Sequence, residues 1–357
     1  MNLLLFNFKT DAKCDLLGVT TDWINAFAPH FENVYVITSE KGDLKLADNV
    51  KVYSLGVEKG NGLFKKLIRF WRLMKSVRKG EFGLVFYHMT YHFAVLSWPF
   101  LRKKKAPRVM WYAHKSRPFG LRLAAPLLDR ICTTSEVGCT VAPKKREILG
   151  HGISEDKFSY VPRKSHGKFE ILSVSRLSPI KRLEQIIEAV SLVAHEKGHG
   201  SIKLTIVGDA PLKEHKKYRQ QLEARVEELG LSKVVKFVGA VPYDEVQRFY
   251  EEADLMVNVS DTGSVDKAVL EAFMTGLPVL ALEKGYGEVF EGMPSGKKCA
   301  LSNAEPEHVA EKIEKFMELS YLQRSELGKF WSDSVAVRYG LKNFVKKVLK
   351  IRDNLVS

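Results

Sequence analysis

Short apolar runs alternate with helix-length segments along the whole chain, and this alternation constrains the fold more than any other feature. Residues 3–8 and 84–88 are such runs in the first half, and residues 170–175 and 255–260 are such runs in the second. Short, mostly apolar runs separated by helices are typical of parallel strands that are buried on both faces of a sheet. Because the pattern occurs twice, the sequence predicts two doubly wound α/β domains.

The length of the chain agrees with this division. At roughly 100–200 residues per domain, 357 residues suggest about two domains. The polar, breaker-rich segment 162–168 precedes a new strand. We therefore expect an N-terminal domain over residues 1–162 and a second domain over residues 163–335. The remaining residues, 336–357, contain a basic helix whose apolar side is a candidate for packing back on the N-terminal domain.

The net charge of +14 lies almost entirely in the N-terminal half. Residues 1–162 carry 26 Lys and Arg against 14 Asp and Glu, whereas the rest of the chain carries 30 against 28. Such an excess favours an anionic partner, which would be nucleic acid, an anionic membrane or a phosphorylated substrate. No sequence motif of a nucleic-acid-binding fold accompanies the charge, so we expect no nucleic-acid partner.

Segment 63–79 is the most basic helical pattern. Its apolar residues 63, 67, 70, 71 and 74 recur at helical spacing, and Lys and Arg fill the other face. One interpretation is a surface helix whose apolar side lies in the core. The other is a helix that docks on an anionic membrane. The candidate membrane or acceptor residues are Lys65, Lys66, Arg69, Arg72 and Trp71.

The sequence contains neither a metal-binding motif nor a recognisable export signal. The four cysteines have no metal-ligand spacing and are typical of reduced core residues. The apolar N-terminus is too short for a signal peptide, and no run reaches the length of a membrane span. We expect a cytoplasmic protein whose membrane attachment, if present, is peripheral on the inner face.

Segment 173–182 (SVSRLSPIKR) carries the strongest chemical signal. A strand ends here and a helix begins, and Arg176, Lys181 and Arg182 crowd the start of that helix. Cations are unfavourable at a helix N-terminus, which already carries partial positive charge. A bound anion would reverse this penalty. The pattern predicts a diphosphate site that uses Arg176 and Lys181, and the alternative is a set of solvated surface cations.

A second signal lies in segment 260–272 (SDTGSVDKAVLEA). Here Glu271 stands among apolar neighbours in a predicted helix. A carboxylate in such surroundings normally has a partner. That partner is either a ligand or Lys267, one helical turn earlier.

Together these two segments resemble the retaining glycosyltransferases of family 4. Residues 276–279 (GLPV), 150–158, 206–211 and 237–255 agree with the same family. The resemblance is specific over residues 150–290 and looser over the first 140. It implies the GT-B fold, in which two Rossmann-like domains face a central cleft. It also implies a nucleotide-diphosphate sugar donor, UDP- or GDP-linked, and a glycan or lipid-linked acceptor.

The resemblance assigns roles to individual residues. Arg176 and Lys181 match the basic pair that holds the donor diphosphate, and Glu271 matches the Glu that contacts the ribose. Gly18 matches the family's glycine loop near the phosphates, and His114 matches its sugar-facing histidine. A histidine after an apolar strand equally fits a structural role. Further donor-binding candidates are Gly208 and Val241, which lie in matching loops.

One departure from the family concerns the donor sugar. The first Glu of the family's E-x7-E motif falls at Gly263. Asp266 is the first candidate to replace it, with Lys267 and Asp261 as the others. The chain has no Asp-x-Asp motif. The resemblance therefore implies metal-independent transfer with retention and no cofactor.

Two other functional classes remain open at this point. A nucleotide-sugar epimerase shares the GT-B architecture, but it needs acid and base carboxylates that no motif marks here. A non-catalytic module that binds membranes or nucleic acid would explain the charge alone. It would leave the cations of segment 173–182 without a role.

Overall fold

The computed structural model of the chain describes residues 1–136, 138–164, 167–210, 213–262 and 265–356, with only the backbone of Lys213 and Glu214. The chain divides into two compact units. The first contains Met1–Ser154, Pro242–Asp244 and Tyr339–Ser357, and the second contains Glu155–Val241 and Glu245–Arg338.

Both boundaries differ from the expected ones. The second unit begins eight residues before residue 163, and the chain returns to the first unit three residues after residue 336. Hydrogen bonds explain the early boundary. Trp23 Nε1 donates to the carbonyl of Gly152 within the first unit, whereas the backbone N–H of Val161 donates to the carbonyl of Thr275 in the second. The polar segment 162–168 therefore follows the boundary, and its residues 165 and 166 lie outside the described residues.

The first unit is built on a seven-stranded parallel sheet of order β3-β2-β1-β4-β5-β6-β7. The apolar run of β1 is almost wholly buried, as expected for a central strand with helices on both faces. The elements are β1 (Asn2–Thr10), α1 (Val19–Phe27), β2 (Val34–Lys41), β3 (Val50–Ser54), α2 (Leu63–Val77), β4 (Phe82–His88), α3 (Tyr91–Leu101), β5 (Arg108–Trp111), α4 (Phe119–Ala124), β6 (Arg130–Thr133) and β7 (Arg146–Ile148).

The second unit is built on a six-stranded parallel sheet of order β10-β9-β8-β11-β12-β13. Every residue of β11 and β12 is buried, and α5 buries one face with Leu183, Ile186, Ile187 and Val190 at helical spacing. The elements are β8 (Phe169–Val174), α5 (Leu183–Lys197), β9 (Ile202–Val207), α6 (Lys213–Glu228), β10 (Val235–Gly239), α7 (Gln247–Glu252), β11 (Leu255–Asn258), α8 (Lys267–Met274), β12 (Val279–Leu282), α9 (Glu283–Glu291), β13 (Ala300–Leu301), α10 (Pro306–Met317) and α11 (Tyr321–Tyr339).

The last helix, α12 (Leu341–Val356), belongs to the first unit and packs on α1. Its apolar residues Phe344, Val345 and Val348 are buried, and the ring of Phe344 lies 4.3 Å from that of Trp23. The backbone N–H of Leu341 also donates to the carbonyl of Ile153. These contacts join the C-terminal segment to the start of the sequence.

The two sheets share a feature that positions ligands in folds of this class. The strand order reverses between β1 and β4 in the first unit, and between β8 and β11 in the second. In doubly wound sheets, ligands bind beyond the carboxyl ends of the strands at this reversal. The two expected α/β domains are thus confirmed, and the reversal in the second unit directs attention to the loops after β8 and β11.

Candidate functional site

The loop after β8 carries the predicted cation pair. It continues from Val174 through a single 3-10 turn, Pro179–Lys181, and Arg182 then adopts a left-handed conformation with φ of 48° before α5 begins. Arg176 is exposed, and it makes no hydrogen bond or ion pair within the described part of the chain. Its guanidinium is therefore available to an anion at the end of the strand.

Lys181 is held by the neighbouring loop. Its ammonium lies 2.6 Å from Asp266 Oδ2 and donates to Ser260 Oγ at 3.3 Å. Asn258 Nδ2 donates to the same Asp266 oxygen at 3.0 Å. The loops after β8 and β11 thus bring together Lys181 and Asp266, which are 85 residues apart in the sequence. Gly263, the position of the missing Glu, lies outside the described residues.

Arg182 provides a second link between these loops. Its Nη2 lies 3.2 Å from Asp261 Oδ2. Left-handed backbone is unfavourable for a residue with a side chain, by an amount on the order of 1 kcal/mol. The ion pair to Asp261 and the packing of Leu183 in the core offset that strain. The turn that presents Lys181 is consequently fixed on both sides.

Glu271 lies in α8 and is almost fully buried. Its Oε1 is 2.8 Å from the ammonium of Lys267, and its Oε2 accepts a hydrogen bond from the hydroxyl of Tyr250 at 3.0 Å. Burial, and then the nearby carboxylate, raise the pKa of Tyr250 well above its usual value, so this hydroxyl keeps its proton and donates. The structure shows the Lys267 ion pair that the sequence offered as the alternative to a ligand contact. Tyr250 as a partner of Glu271 was not predicted.

Gly208 supports the loop that carries Arg176. Its φ is 130°, and a Cβ atom there would lie 1.9 Å from the carbonyl oxygen of Ser175. Neighbouring backbone groups fix the same loop, since the N–H of Leu177 donates to the carbonyl of Asp209. Only glycine fits this approach. Gly208 therefore shapes the site through the backbone. Val241, the other candidate from a matching loop, is half-buried and is the last residue of the stretch Glu155–Val241 of the second unit.

Ser175 is a polar residue of this loop that the sequence analysis missed. Its hydroxyl oxygen is buried and has no hydrogen-bond partner among the described residues. A buried hydroxyl without a partner is unfavourable and calls for an explanation. Its position directly before Arg176 makes it a candidate donor to a bound anion. A serine just after a strand gives no sequence signal that its hydroxyl is buried without a partner.

Gly18 precedes α1 at the strand reversal of the first unit. Its backbone is right-handed, so a positive φ does not explain the glycine. A Cβ would instead lie 2.7 Å from both the Cys14 carbonyl oxygen and Tyr243 Cβ. Close packing within the first unit, to which Tyr243 belongs, excludes any side chain here. A role near phosphates stays a prediction.

His114 lies three residues beyond β5 and is exposed. Its Nδ1 accepts a hydrogen bond from the backbone N–H of Ser116 at 3.0 Å and lies 2.7 Å from Ser116 Oγ. A neutral ring with an accepting Nδ1 carries its proton on Nε2. His114 is therefore exposed, with its Nδ1 bound by Ser116, rather than packed in the core.

The helix α2 combines exposed cations with exposed apolar residues. Lys65, Arg69 and Arg72 are exposed and Lys66 is half-buried. Phe70 and Met74 lie in the core, but Leu63 is 70% and Trp71 is 53% exposed, so the apolar residues do not form one buried face. Phe64, 76% exposed, adds to this surface. Phe70 and Met74 agree with a surface helix whose inner side packs on the core, and docking of the exposed side on a membrane stays a prediction.

The net charge comes from the stretch that begins with α2 and runs past α4. Residues 61–128 contain fifteen Lys and Arg and a single acidic residue, Glu81, which equals the whole chain's charge of +14. The rest of the chain has no net charge.

No helix among the described residues is both long enough and apolar enough to span a bilayer. Within the same residues, no group of three or more His, Cys, Asp or Glu side chains is arranged to hold a metal ion.

Comparison with known proteins finds a family match and sequence relatives for part of the chain. Residues 154–330 match the family model of the glycosyl transferases group 1. The amylovoran biosynthesis glycosyltransferase AmsK of Erwinia amylovora is 32% identical over 45% of this chain and 39% of its own. The alpha-monoglucosyldiacylglycerol synthase of Streptococcus pneumoniae is 28% identical over 34% of this chain and 25% of its own. The chain thus spans well under half the length of these relatives.

Solved structures resemble nearly the entire chain. Sucrose-phosphate synthase from Thermosynechococcus elongatus has a TM-score of 0.78 at 16% identity and covers 99% of this chain and 98% of its own. Anabaena HepE, solved in complex with UDP-glucose, has a TM-score of 0.75 at 17% identity, with coverage of 99% and 100%. These similarities confirm the expected GT-B fold. Residues 154–330 therefore form a domain that matches the glycosyl transferases group 1, within a chain of GT-B fold.

Proposed function

We propose that the chain is a retaining glycosyltransferase of family 4, with Gly263 in place of the motif's first Glu. It transfers a sugar from a UDP- or GDP-sugar to a glycan or a lipid-linked acceptor, without a metal ion. The observation that carries the proposal is the position of Arg176 and Lys181 after β8, where the strand order reverses. Two cations at the ligand-binding edge of a doubly wound sheet suit a diphosphate.

The proposed reaction follows from these charges. The bond between the anomeric carbon and the diphosphate oxygen breaks, and Arg176 and Lys181 offset the charge that develops on the departing diphosphate. The acceptor hydroxyl oxygen bonds to the anomeric carbon from the same face, and its proton passes to the leaving phosphate. Glu271 binds the ribose. His114, which is exposed, binds the sugar.

The relatives support the donor class and the kind of acceptor. HepE was solved with UDP-glucose, and the Streptococcus pneumoniae relative is named for a glucosyl diacylglycerol product. The cations and exposed apolar side chains of α2 are suited to a membrane that contains anionic lipid. We therefore place a lipid-linked acceptor ahead of a free glycan and assign α2 to membrane docking.

The proposed diphosphate site of Arg176 and Lys181, called the clamp below, is tested by donor hydrolysis and thermal shift with UDP- and GDP-sugars in the presence of EDTA. We expect a shift with one nucleotide class and turnover that survives chelation. Arg176→Ala and Lys181→Ala should each slow turnover about 100-fold, because a charge-stabilising group is lost at the leaving diphosphate. Near-wild-type turnover in both variants, or activity that returns only on adding magnesium or manganese, would contradict the proposed mechanism.

A further inference from the structure

The carboxylate of Asp266 does not cap the helix that it precedes. Asp266 occupies the N-cap position of α8 with extended backbone, at φ of −76° and ψ of 136°, yet it makes no side-chain capping hydrogen bond. Aspartate is among the best N-cap residues because its oxygen can accept from the free N–H groups of the first turn. Here the carboxylate instead receives Lys181 Nζ and Asn258 Nδ2. The local stabilising contact has been replaced by a long-range one.

Asp266 is fixed independently of Lys181. Its backbone N–H donates to the hydroxyl of Tyr286, a fully buried residue of α9, at 2.9 Å. Asn258 is itself oriented, because its Oδ1 accepts from the backbone N–H of Ser260 at 3.1 Å. Two elements, α9 and the end of β11, therefore set the position of the carboxylate. Lys181 has the longer side chain of the pair, so the fixed carboxylate is positioned to hold its ammonium.

The pairing makes the two cations of the clamp unequal. The side chains of Lys181 and Asp266 are only 11% and 21% exposed, so water screens their interaction incompletely. Arg176 is exposed and has no such counter-ion among the described residues. A diphosphate that enters the site meets one cation with its full charge and one whose charge Asp266 partly cancels. The Asp266 carboxylate also repels the additional negative charge of a released nucleoside diphosphate.

We propose that Asp266 is a positioning residue that acts through Lys181: it holds the ammonium in place for the leaving diphosphate, and it limits how tightly the nucleoside diphosphate product is retained. This inference rests on the proposed function. It replaces the expectation that Asp266 takes over a contact to the donor sugar in place of the missing Glu. A carboxylate held by Lys181 and Asn258 acts on the phosphate side of the donor.

The test is Asp266→Asn, which keeps the size of the side chain and its suitability as an N-cap but removes the charge. UDP affinity is measured by calorimetry and donor turnover by product release. We expect UDP to bind about three- to tenfold more tightly, because the opposing charge is gone, and kcat to fall on the order of tenfold. Asp266→Glu, which restores the charge, should return UDP affinity close to that of the wild type. Asp266→Ser is a second neutral variant with a good N-cap residue.

A matched control exists on the same sheet. Glu170, near the start of β8, forms an ion pair of 2.9 Å with Lys203, and its side chain is 23% exposed against 21% for Asp266. Glu170→Gln removes the same charge at the far end of the strand and should leave UDP affinity and turnover unchanged. Action through Lys181 is tested by adding Asp266→Asn to Lys181→Met. The tightening of UDP should then disappear.

The outcomes separate this inference from the proposed function. A wild-type protein that binds neither UDP nor GDP and hydrolyses no donor would overturn the proposed function. If the wild type is active and the neutral Asp266 variants bind UDP equally or more weakly, Asp266 is a direct ligand or a structural residue, and the inference is wrong. Tightening that persists without Lys181 would also overturn it.

Discussion

Glu271 shows at the scale of one residue how a structural contact and a proposed ligand contact compete for the same carboxylate. Both of its oxygens already have protein partners, Lys267 and Tyr250. An ion pair one turn apart on an exposed helix contributes only a few tenths of a kcal/mol, but this carboxylate is buried, so loss of a partner costs more. The ribose contact must therefore be separated from the fold by experiment.

Glu271→Gln should weaken UDP binding about tenfold or more, because a hydrogen bond from a ribose hydroxyl to a charged oxygen becomes one to a neutral amide. The amide still accepts from Tyr250. Tyr250→Phe is the control: it removes the hydroxyl but leaves the carboxylate, so it should lower the melting temperature and keep UDP affinity within about threefold. Calorimetry and thermal unfolding on both variants check this. Normal UDP binding by a destabilised Glu271→Gln variant would assign Glu271 to the fold alone.

His88, at the end of β4, makes the first unit sensitive to acid. Its ring stacks on Trp111 at 5.2 Å and meets the edge of Trp23 at 5.0 Å. Burial, with a smaller contribution from His151, lowers the pKa of His88 to about 4. Since the unfolded chain has a histidine pKa near 6.5, it binds more protons than the native state between these values. The contribution to stability is complete above about pH 6.5 and is lost as the pH falls towards 4, by about 3 kcal/mol in total.

Urea unfolding at pH 7 and pH 4.5 measures this effect. The wild type should lose more free energy of unfolding between the two pH values than His88→Phe, in which an uncharged ring keeps the stacking. Equal losses in the two proteins would show that another group causes the acid sensitivity.

At the scale of elements, the sequence was a good guide to the sheets and a poor one to side-chain partners. The apolar runs of β1, β11 and β12 could be recognised because both faces of each strand are buried, which leaves a continuous signal. The pairing of Lys181 with Asp266 could not, because it depends on where two loops 85 residues apart meet. The exposure of Trp71 was equally inaccessible, since helical spacing alone does not reveal how much of a helix a neighbour covers.

The exposed surface of α2 carries the prediction for membrane docking. Replacing Lys65, Lys66, Arg69 and Arg72 with Ser should release the protein from vesicles that contain anionic lipid, because each basic residue near such a surface contributes about 1 kcal/mol. Binding by the wild type should fall steeply with salt, since charges are screened over about 8–10 Å. Donor hydrolysis should persist, as the clamp lies in the second unit. Vesicle co-sedimentation at two salt concentrations provides the measurement.

The matched control for this experiment is α12, a second basic helix of the first unit. Replacing Lys342, Lys346, Lys347 and Lys350 with Ser removes the same charge from a helix whose aromatic residue, Phe344, is buried. This variant should still sediment with vesicles. Negligible sedimentation of the wild type in all conditions would favour an acceptor in solution. Equal loss of sedimentation in both variants would show that net charge, and not the surface of α2, causes the binding.

At the scale of the whole molecule, the net charge is concentrated in one stretch of the chain, and neither unit is continuous in the sequence. The stretch 61–128 accounts for the net charge, so the first unit has a directional field towards anionic partners while the rest is neutral. The division into units could not be placed from sequence to the residue, because a few hydrogen bonds such as that from Trp23 to Gly152 decide it. The return of Pro242–Asp244 to the first unit has no sequence signal at all.

The placement of α12 has a consequence for how the protein is made. During synthesis, the strands of the first unit emerge from the ribosome before the second unit, whereas α12, which covers Trp23 of α1, emerges after it. Contacts between residues so distant in the chain require closure of a very long loop and form slowly. The second unit, continuous from Glu155 except for three residues, can fold while the first still waits for its final helix. Until α12 is made, the nascent chain thus exposes the aromatic surface around Trp23, and this surface is where a chaperone would bind.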